Sequence, residues 1–292
     1  MSERLEIDAL RALLTIAKHG GVTRAASHLN VSQSAVSHKI RRLEQNLDCS
    51  LLTRRPGEPL FTDAGARLCD YARRIVDLHD EALATLGKKP VSGKIMLGMT
   101  EDTTTSGIAR ILGRFMRLFP NVKVQTRTSQ SLCVQEWLRA GDLDVAVMQI
   151  FRKDILPEDL ILFEDTLHWV RSPDLELETD LSIPFLSFDN YCFYKRWAFS
   201  EGLSMGHTFE SILECPSSAG IQSAVRSGLG VALLNGLHIT PDISIIEGIF
   251  PKPPDIVFIA RVRAGSDSAA VKALVSEIGK EVQASSPLKL AG

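Results

Sequence analysis

The sequence predicts an α/β protein with an all-α N-terminal part: a small helical head, a long connecting helix, and a two-lobed body. Three observations carry this. Near the N-terminus, apolar residues recur every three or four positions in short runs separated by turn residues, which marks short amphipathic helices. From Thr62 to about Leu86 the same period continues as one long run. From Gly93 the texture changes to apolar runs of strand length alternating with helical segments, the pattern of a mostly parallel sheet.

In the head, Leu10, Leu13, Leu14 and Ala17 form the inner stripe of a first helix, which ends at Gly20-Gly21. Thr23 caps a second helix, where small Ala25 and Ala26 allow close approach to neighbours. Asn30-Val31 makes the turn. Ser32 then caps a third helix, with Val36, Ile40, Leu43 and Leu47 on its inner face. Ser34, Ser37, His38, Arg41 and Gln45 fall on the opposite side, as a polar, partly basic face suited to base edges in a DNA major groove. Ser32, Gln33, Ser34, Ser37, His38 and Arg41 are therefore candidate DNA contacts. An ordinary helical subdomain with a solvated face remains the plain alternative.

After the third helix, Leu52 to Phe61 reads as two extended pieces around the turn dipeptide Pro56-Gly57, a wing. Arg54 and Arg55 are placed either to reach phosphates or the minor groove, or simply as solvated surface arginines. Taken together, several features resemble the LysR-type regulator family. They are the alanine pair, the Val-Ser-Gln-Ser-Ala-Val-Ser run from Val31, the Ile40-Arg-Arg-Leu-Glu44 helix, and Phe61-Thr-Asp-Ala-Gly65 opening a long helix. The resemblance implies a winged helix-turn-helix and double-stranded promoter DNA as a partner. Ser34 stands where many members have proline, and His38 where arginine or glutamine is common. Both departures bear on which DNA sequence is read.

Charge distribution agrees with a nucleic-acid head. The chain carries −2 overall, but residues 1–58 carry +3, residues 59–89 balance, and the rest carries −5. The mild excess on the head predicts weak, salt-sensitive binding by a single copy. With no signal peptide and no membrane-length apolar run, a cytoplasmic protein is expected. The five cysteines show no metal-ligand spacing, so no metal is expected and buried free thiols are the default. A redox pair, found in some members of the family resembled, has only Cys192 and Cys215 as candidates.

The long helix spans about 25 residues, roughly 38 Å at about 1.5 Å each. Leu68, Ala72, Ile75, Leu78, Ala82 and Leu86 form its apolar stripe. That stripe packs either on a second copy, giving a homodimer with two DNA-reading heads, or on its own chain. The family resemblance extends the expectation to a homotetramer. Gly87-Lys-Lys-Pro-Val-Ser-Gly93 reads as a hinge. The expected domains are a DNA-binding head at 1–61, a linker helix and hinge at 62–92, and an effector-binding body at 93–292.

In the body, strands are expected at Lys94–Met99, Val122–Thr126, Val145–Met148, Phe185–Phe188, Gly230–Leu234 and Ile256–Ala260, with helices between them. The runs Arg139-Ala-Gly-Asp-Leu-Asp-Val-Ala-Val and Ser227-Gly-Leu-Gly-Val-Ala-Leu-Leu resemble the family's effector domain, itself similar to periplasmic binding proteins. Asn235 replaces a proline usual there. The Thr-Glu-Asp after the first strand, with the sequence around Cys192–Arg196, resembles the branch typified by LrhA and HexA. Lobe I is expected at about 93–163 and 264–292, and lobe II at about 164–263.

Ligands in such sheets sit beyond the carboxyl ends of strands. That rule selects Thr100, Glu101, Asp102 and Thr103 after the first strand, and Thr128, Ser129 and Ser131 after the second. Tyr194, Arg196, Ser217 and Ser218 are the lobe II candidates. Thr128, Ser129 and the serine pair are also plausible plain helix caps, and Glu101 and Asp102 a surface pair. If those acids face the cleft, they favour a cationic or neutral effector over a simple carboxylate.

The scattered histidines give no nucleophile a recognisable base, and no P-loop or His-Glu-x-x-His appears, so no enzyme and no cofactor beyond an unidentified small-molecule effector is expected. A binding protein or enzyme with an incidental helical N-terminus is the rival class. It predicts that the full chain ignores DNA.

Overall fold

The computed structural model of the protein describes residues 4–53, 60–86, 91–177, 182–204 and 206–284. The main division into two compact units falls at about residue 90.

The head comprises α1 (Ile7–His19), α2 (Val22–His28), α3 (Gln33–Leu47) and α4 (Asp63–Leu86). α1 stops at Gly20, whose φ of 67° turns the chain left-handed while its N–H returns to Ile16 O. α2 begins two residues earlier than the sequence suggests. Gly21 is its cap residue and Thr23 lies inside the first turn, because Val22 joins the apolar core of the head. Asn30, at φ 55°, makes the turn into α3, and Val31 N–H closes it on Ala26 O at 3.1 Å. Ser32 caps α3 as expected, its Oγ accepting from Ala35 N at 3.2 Å. Val36, Ile40 and Leu43 are buried with Leu10, Leu13, Ile16, Ala25 and Ala26.

Beyond α3, Leu52 pairs with Phe61 in a short antiparallel bridge. Glu44 Oε1 accepts Leu51 N at 2.8 Å and Leu52 N at 3.3 Å, tying α3 to the segment that follows it. Thr62 N–H closes on Leu51 O at 3.0 Å, and Thr62 Oγ1 caps α4 by accepting Gly65 N at 3.1 Å. Gly65 is there for closeness: a Cβ on it would lie 2.1 Å from Leu51 O.

α4 divides the expected dimerisation stripe between the head's core and the solvent. Ala72 is buried and Leu68 and Ile75 are partly buried against the head's own core, together with Cys69 and Val76. The first half of the helix crosses α1, and Arg11 of α1 pairs with Asp80 of α4. Leu78, Ala82 and Leu86 are exposed, as are Tyr71 and Leu83. The hinge segment 87–90, and Arg54, Arg55 and Pro56-Gly57 of the wing, lie outside the described residues.

The body contains two five-stranded sheets, β2-β1-β3-β10-β4 and β7-β6-β8-β5-β9. The first uses β1 (Gly93–Met99), β2 (Val122–Thr128), β3 (Val145–Phe151), β4 (Leu160–Asp165) and β10 (Ile256–Val262). The second uses β5 (Leu167–Arg171), β6 (Ile183–Ser187), β7 (Phe209–Glu214), β8 (Val231–Asn235) and β9 (Ser244–Ile245). In each, four strands run the same way and one opposes them, β10 in the first and β5 in the second, each pairing antiparallel on both of its edges.

β10 pairs with β3 and β4, so it belongs to lobe I. The expected lobe II limit of 263 therefore moves back to the segment between β9 and β10. Helices α5 (Glu101–Thr103), α6 (Ala109–Leu118), α7 (Ser131–Ala140), α8 (Phe193–Ser204), α9 (Ser218–Arg226) and α10 (Ala269–Ala284) complete the body. A π-helical turn, Thr104–Ile108, joins α5 to α6.

Lobe II is filled by aromatic rings: Trp169 stacks on Phe209 at 5.3 Å, with Phe185 and Phe250 against them. Lobe I packs Val134, Leu138 and Leu143 on β3 and β10. Among the described residues, no helix is long and apolar enough to cross a membrane.

Candidate DNA-reading face and effector cleft

α3 has two chemically distinct sides. Its inner residues Val36, Ile40 and Leu43 are at most 3% exposed, whereas Gln33, Ser34, His38, Arg41 and Gln45 are exposed and Ser37 is half-buried. The inner anchoring fixes the helix rotation, so the outer side chains are presented as a set. Ser34 Oγ lies 2.9 Å from Ser32 Oγ, which joins the first exposed serine to the cap. Arg42 is paired with Glu6 at 2.8 Å and Lys39 with Asp8 at 3.7 Å, so these two neighbouring cations are engaged within the head.

In the body, the loop after β1 brings two carboxylates to lobe II. Glu101 Oε2 accepts Ser218 N and Ser218 Oγ, each at 2.8 Å, while Oε1 accepts Ser217 Oγ at 3.2 Å. Neither serine is only a helix cap: Ser217 is the N-cap residue of α9 but makes no side-chain cap bond. Asp102 accepts Asn235 Nδ2 at 2.7 Å and a bond from Gln149 Nε2 of lobe I, and it meets His238 Nε2 at 2.7 Å. Gln222 Nε2 lies 3.1 Å from the other ring nitrogen, His238 Nδ1, so both nitrogens of the ring have partners.

Burial works against the charge on Asp102. The bonds from His238, Asn235 and Gln149 outweigh it and hold the carboxyl below its ordinary range. The two acids thus face the cleft, but both are already satisfied by donors.

The remaining candidates divide. Thr100 and Tyr194 line the same small cavity as the acids, with Gln130, Gln149 and Phe188. Ser131 is buried and bonds Gln149 Oε1 at 3.5 Å. Thr103 Oγ1 is consumed locally, donating to Thr100 O at 2.8 Å. Thr128 is exposed at the end of β2, and Ser129 N–H bonds Met99 O. Arg196 is exposed and its Nε holds Asn190 O at 3.1 Å.

Gln149, Asn235, Gln222 and His238 were missed as site residues. Gln149 and Asn235 carried a signal: each is a polar residue within or ending an otherwise apolar strand run.

The cavity beside the acids measures only about 20 Å³, enough for one water molecule. A larger open groove of about 530 Å³ lies by α7 and the turn after β3, lined by Arg139, Lys153, Leu156, Phe193 and Arg261. Arg261 is held there by Asp159 through two bonds of 2.6 Å. Cys192 is buried, and burial pushes its thiol up to about 12. A thiol so protonated is a poor redox sensor.

A helical head with an anchored, polar-faced α3, on a chain that continues into two sheets meeting over a polar cleft, defines a DNA-binding regulator of transcription with its own sensing domain. Residues 88–283 match the family model described as the LysR substrate binding domain, and residues 7–66 the model described as the bacterial regulatory helix-turn-helix protein, lysR family. The chain belongs to the LysR family of transcriptional regulators. The HTH-type transcriptional regulator PecT of Dickeya dadantii is 26% identical, over 94% of this chain and 87% of its own length. The regulator DgdR of Burkholderia cepacia is 28% identical, over 87% of this chain and 86% of its own. The crystal structure of full-length BenM, at 19% identity, covers 95% of this chain and 96% of its own with a TM-score of 0.51, a likeness of fold.

Proposed function

We propose that the chain works in the cytoplasm as a homodimer or homotetramer that reads promoter DNA through α3 and senses a small molecule between its two lobes. One observation carries the reading: α3 buries Val36, Ile40 and Leu43 while Gln33, Ser34, His38 and Arg41 stay exposed. Ser32 sets the helix start, Ser37 supports the same face, and Arg54 and Arg55 of the wing add contacts to phosphate or the minor groove. The exposed apolar residues of α4, with Leu78 at 66% and Leu86 at 83% exposure, supply the surface for a second copy. Two joined heads read two half-sites, which compensates for the small charge excess of one head. Effector binding acts on the contacts of Glu101 and Asp102 with lobe II, and a change in lobe closure shifts the placement of the paired heads.

The test is a promoter-shift assay with His38→Ala and Arg41→Ala, alone and together. A side chain contacting a base edge contributes roughly 1–3 kcal/mol of discrimination. The double variant is therefore expected to lose at least tenfold in specific affinity while retaining its fold. Undiminished affinity with an unchanged sequence preference rules out this reading face.

A further inference from the structure

We propose that Glu101 is a tethered ligand: its carboxylate fills an anion subsite at the start of α9 and holds the lobes together in place of a carboxylate from solution. The inference rests on the reading of the interlobe cleft as the sensing site. Glu101 belongs to lobe I, and its partners Ser217 and Ser218 belong to lobe II. Both of its oxygens are used, with Oε2 on one backbone amide and one hydroxyl at 2.8 Å and Oε1 on a second hydroxyl at 3.2 Å. α9 is nine residues long; the first amides of a helix lack acceptors within it and sit in a positive field that favours an anion, and Glu101 takes the amide of Ser218. This is how a helix start recognises a free carboxylate, here with the carboxylate supplied by the chain itself.

A second observation points independently to a ligand-type cavity. Tyr194, a residue only 5% exposed, lines the cavity with Glu101, and its buried Oη, beside the Asn235 side chain, makes no well-formed hydrogen bond among the described residues. The remaining space, about 20 Å³, holds nothing larger than water while Glu101 is in place. Asp102 adds bonds to Asn235 and His238 across the same boundary. The lobes are therefore closed by the chain's own groups. A small-molecule effector that acts here has to displace Glu101 or exploit Tyr194 beside it.

The experiment uses the full chain and Glu101→Ala, which removes the equivalent of acetate from the subsite. Melting and small-angle scattering are measured in sodium acetate, and in sodium chloride or acetamide as controls. E101A is expected to melt roughly 5 °C lower and to scatter as a more open body. Acetate, but neither control, is expected to restore both readouts saturably, with no effect on the unaltered protein. Glu101→Gln keeps the bulk, so it is expected to open the lobes without responding to acetate.

Equal acetate response in E101A and the unaltered protein, or none in a folded E101A, overturns the proposal. So does an E101Q variant as compact as the unaltered protein, which decides the matter if E101A does not fold. Operator binding measured in parallel separates the two readings. If acetate recloses E101A but promoter affinity does not follow, the tethered ligand stands and the sensing-cleft reading fails. If acetate does nothing while Asp102→Asn changes promoter affinity, the cleft reading stands and the tethered ligand fails.

Discussion

Replacing Gly65 by alanine sets helix propensity against packing, and the two predict opposite signs. Alanine within a helix is favoured over glycine by about 1 kcal/mol, partly through the unfolded chain. At Gly65 the added methyl would lie 2.1 Å from Leu51 O, 2.9 Å from Leu51 C and 3.1 Å from Phe61 Cδ1. Backbone cannot swing aside as a flexible side chain can, so the start of α4 must move away from the wing by about an ångström. Overpacking of this kind costs about 1–3 kcal/mol. The shift also breaks the bond from Thr62 N to Leu51 O, for about 1 kcal/mol more.

The net expectation is a loss of about 1–3 kcal/mol, or roughly 5–20 °C in the melting of a head this small. Thermal melting of the full chain, with hydrogen exchange at the Leu51 and Thr62 amides, reads it. Gly279→Ala is the control. Its new methyl would meet only Leu160 methyls at 3.7 and 3.9 Å, an ordinary contact, so propensity is expected to win and the body to be stabilised by up to about 1 kcal/mol. A Gly65→Ala head as stable as the unaltered one refutes the reasoning.

Glu44→Ala deprives the Leu51 and Leu52 amides of their acceptor, and urea unfolding is expected to show a loss of roughly 2–4 kcal/mol with weakened DNA binding. A loss below about 0.5 kcal/mol, the scale of an ordinary surface substitution, would mean water replaces the carboxylate. Asp102 titrates below its ordinary value in the folded chain, so its stabilisation is complete above about pH 4 and is lost as the pH falls through the folded value. Asp102→Asn is expected to flatten that acid limb in urea titrations from about pH 6 downward; an unchanged slope contradicts the bonding described. The Cys192 thiol, pushed up to about 12, is expected to react with a disulfide reagent about a thousandfold more slowly than an ordinary thiol. Rapid labelling in the native state would show that the site opens.

The head was largely legible because its signals are local. A period of 3.6 identifies the buried face of α3 from Val36, Ile40 and Leu43, and a glycine at Gly20 marks a helix end. The same period showed which face of α4 is apolar, but not what covers it: Leu68, Ala72 and Ile75 pack on the head, whereas Leu78 and Leu86 are exposed. The strand-end rule located Glu101, Asp102, Ser217 and Ser218 but not their mutual bonds, since residues more than a hundred positions apart meet only through the sheet order. Gln149 and His238 escaped for the same reason. Asn235 stood out as a departure from a pattern, and only the fold gave it Asp102 as a partner. Sequence order groups β10 with lobe II, whereas the sheet places it in lobe I, because its neighbours along the chain and its neighbours in the sheet differ.

That placement of β10 has a consequence for synthesis. Lobe I needs β10 between β3 and β4, yet roughly 100 residues of lobe II separate β4 from β10. At about 5–20 residues per second, the ribosome leaves facing edges of β3 and β4 unpaired for on the order of 5–20 s. The head and lobe II can each finish first, from contiguous chain. Nascent chains stalled before Ile256 should therefore carry two finished modules and one sticky, incomplete sheet, the form most in need of a chaperone.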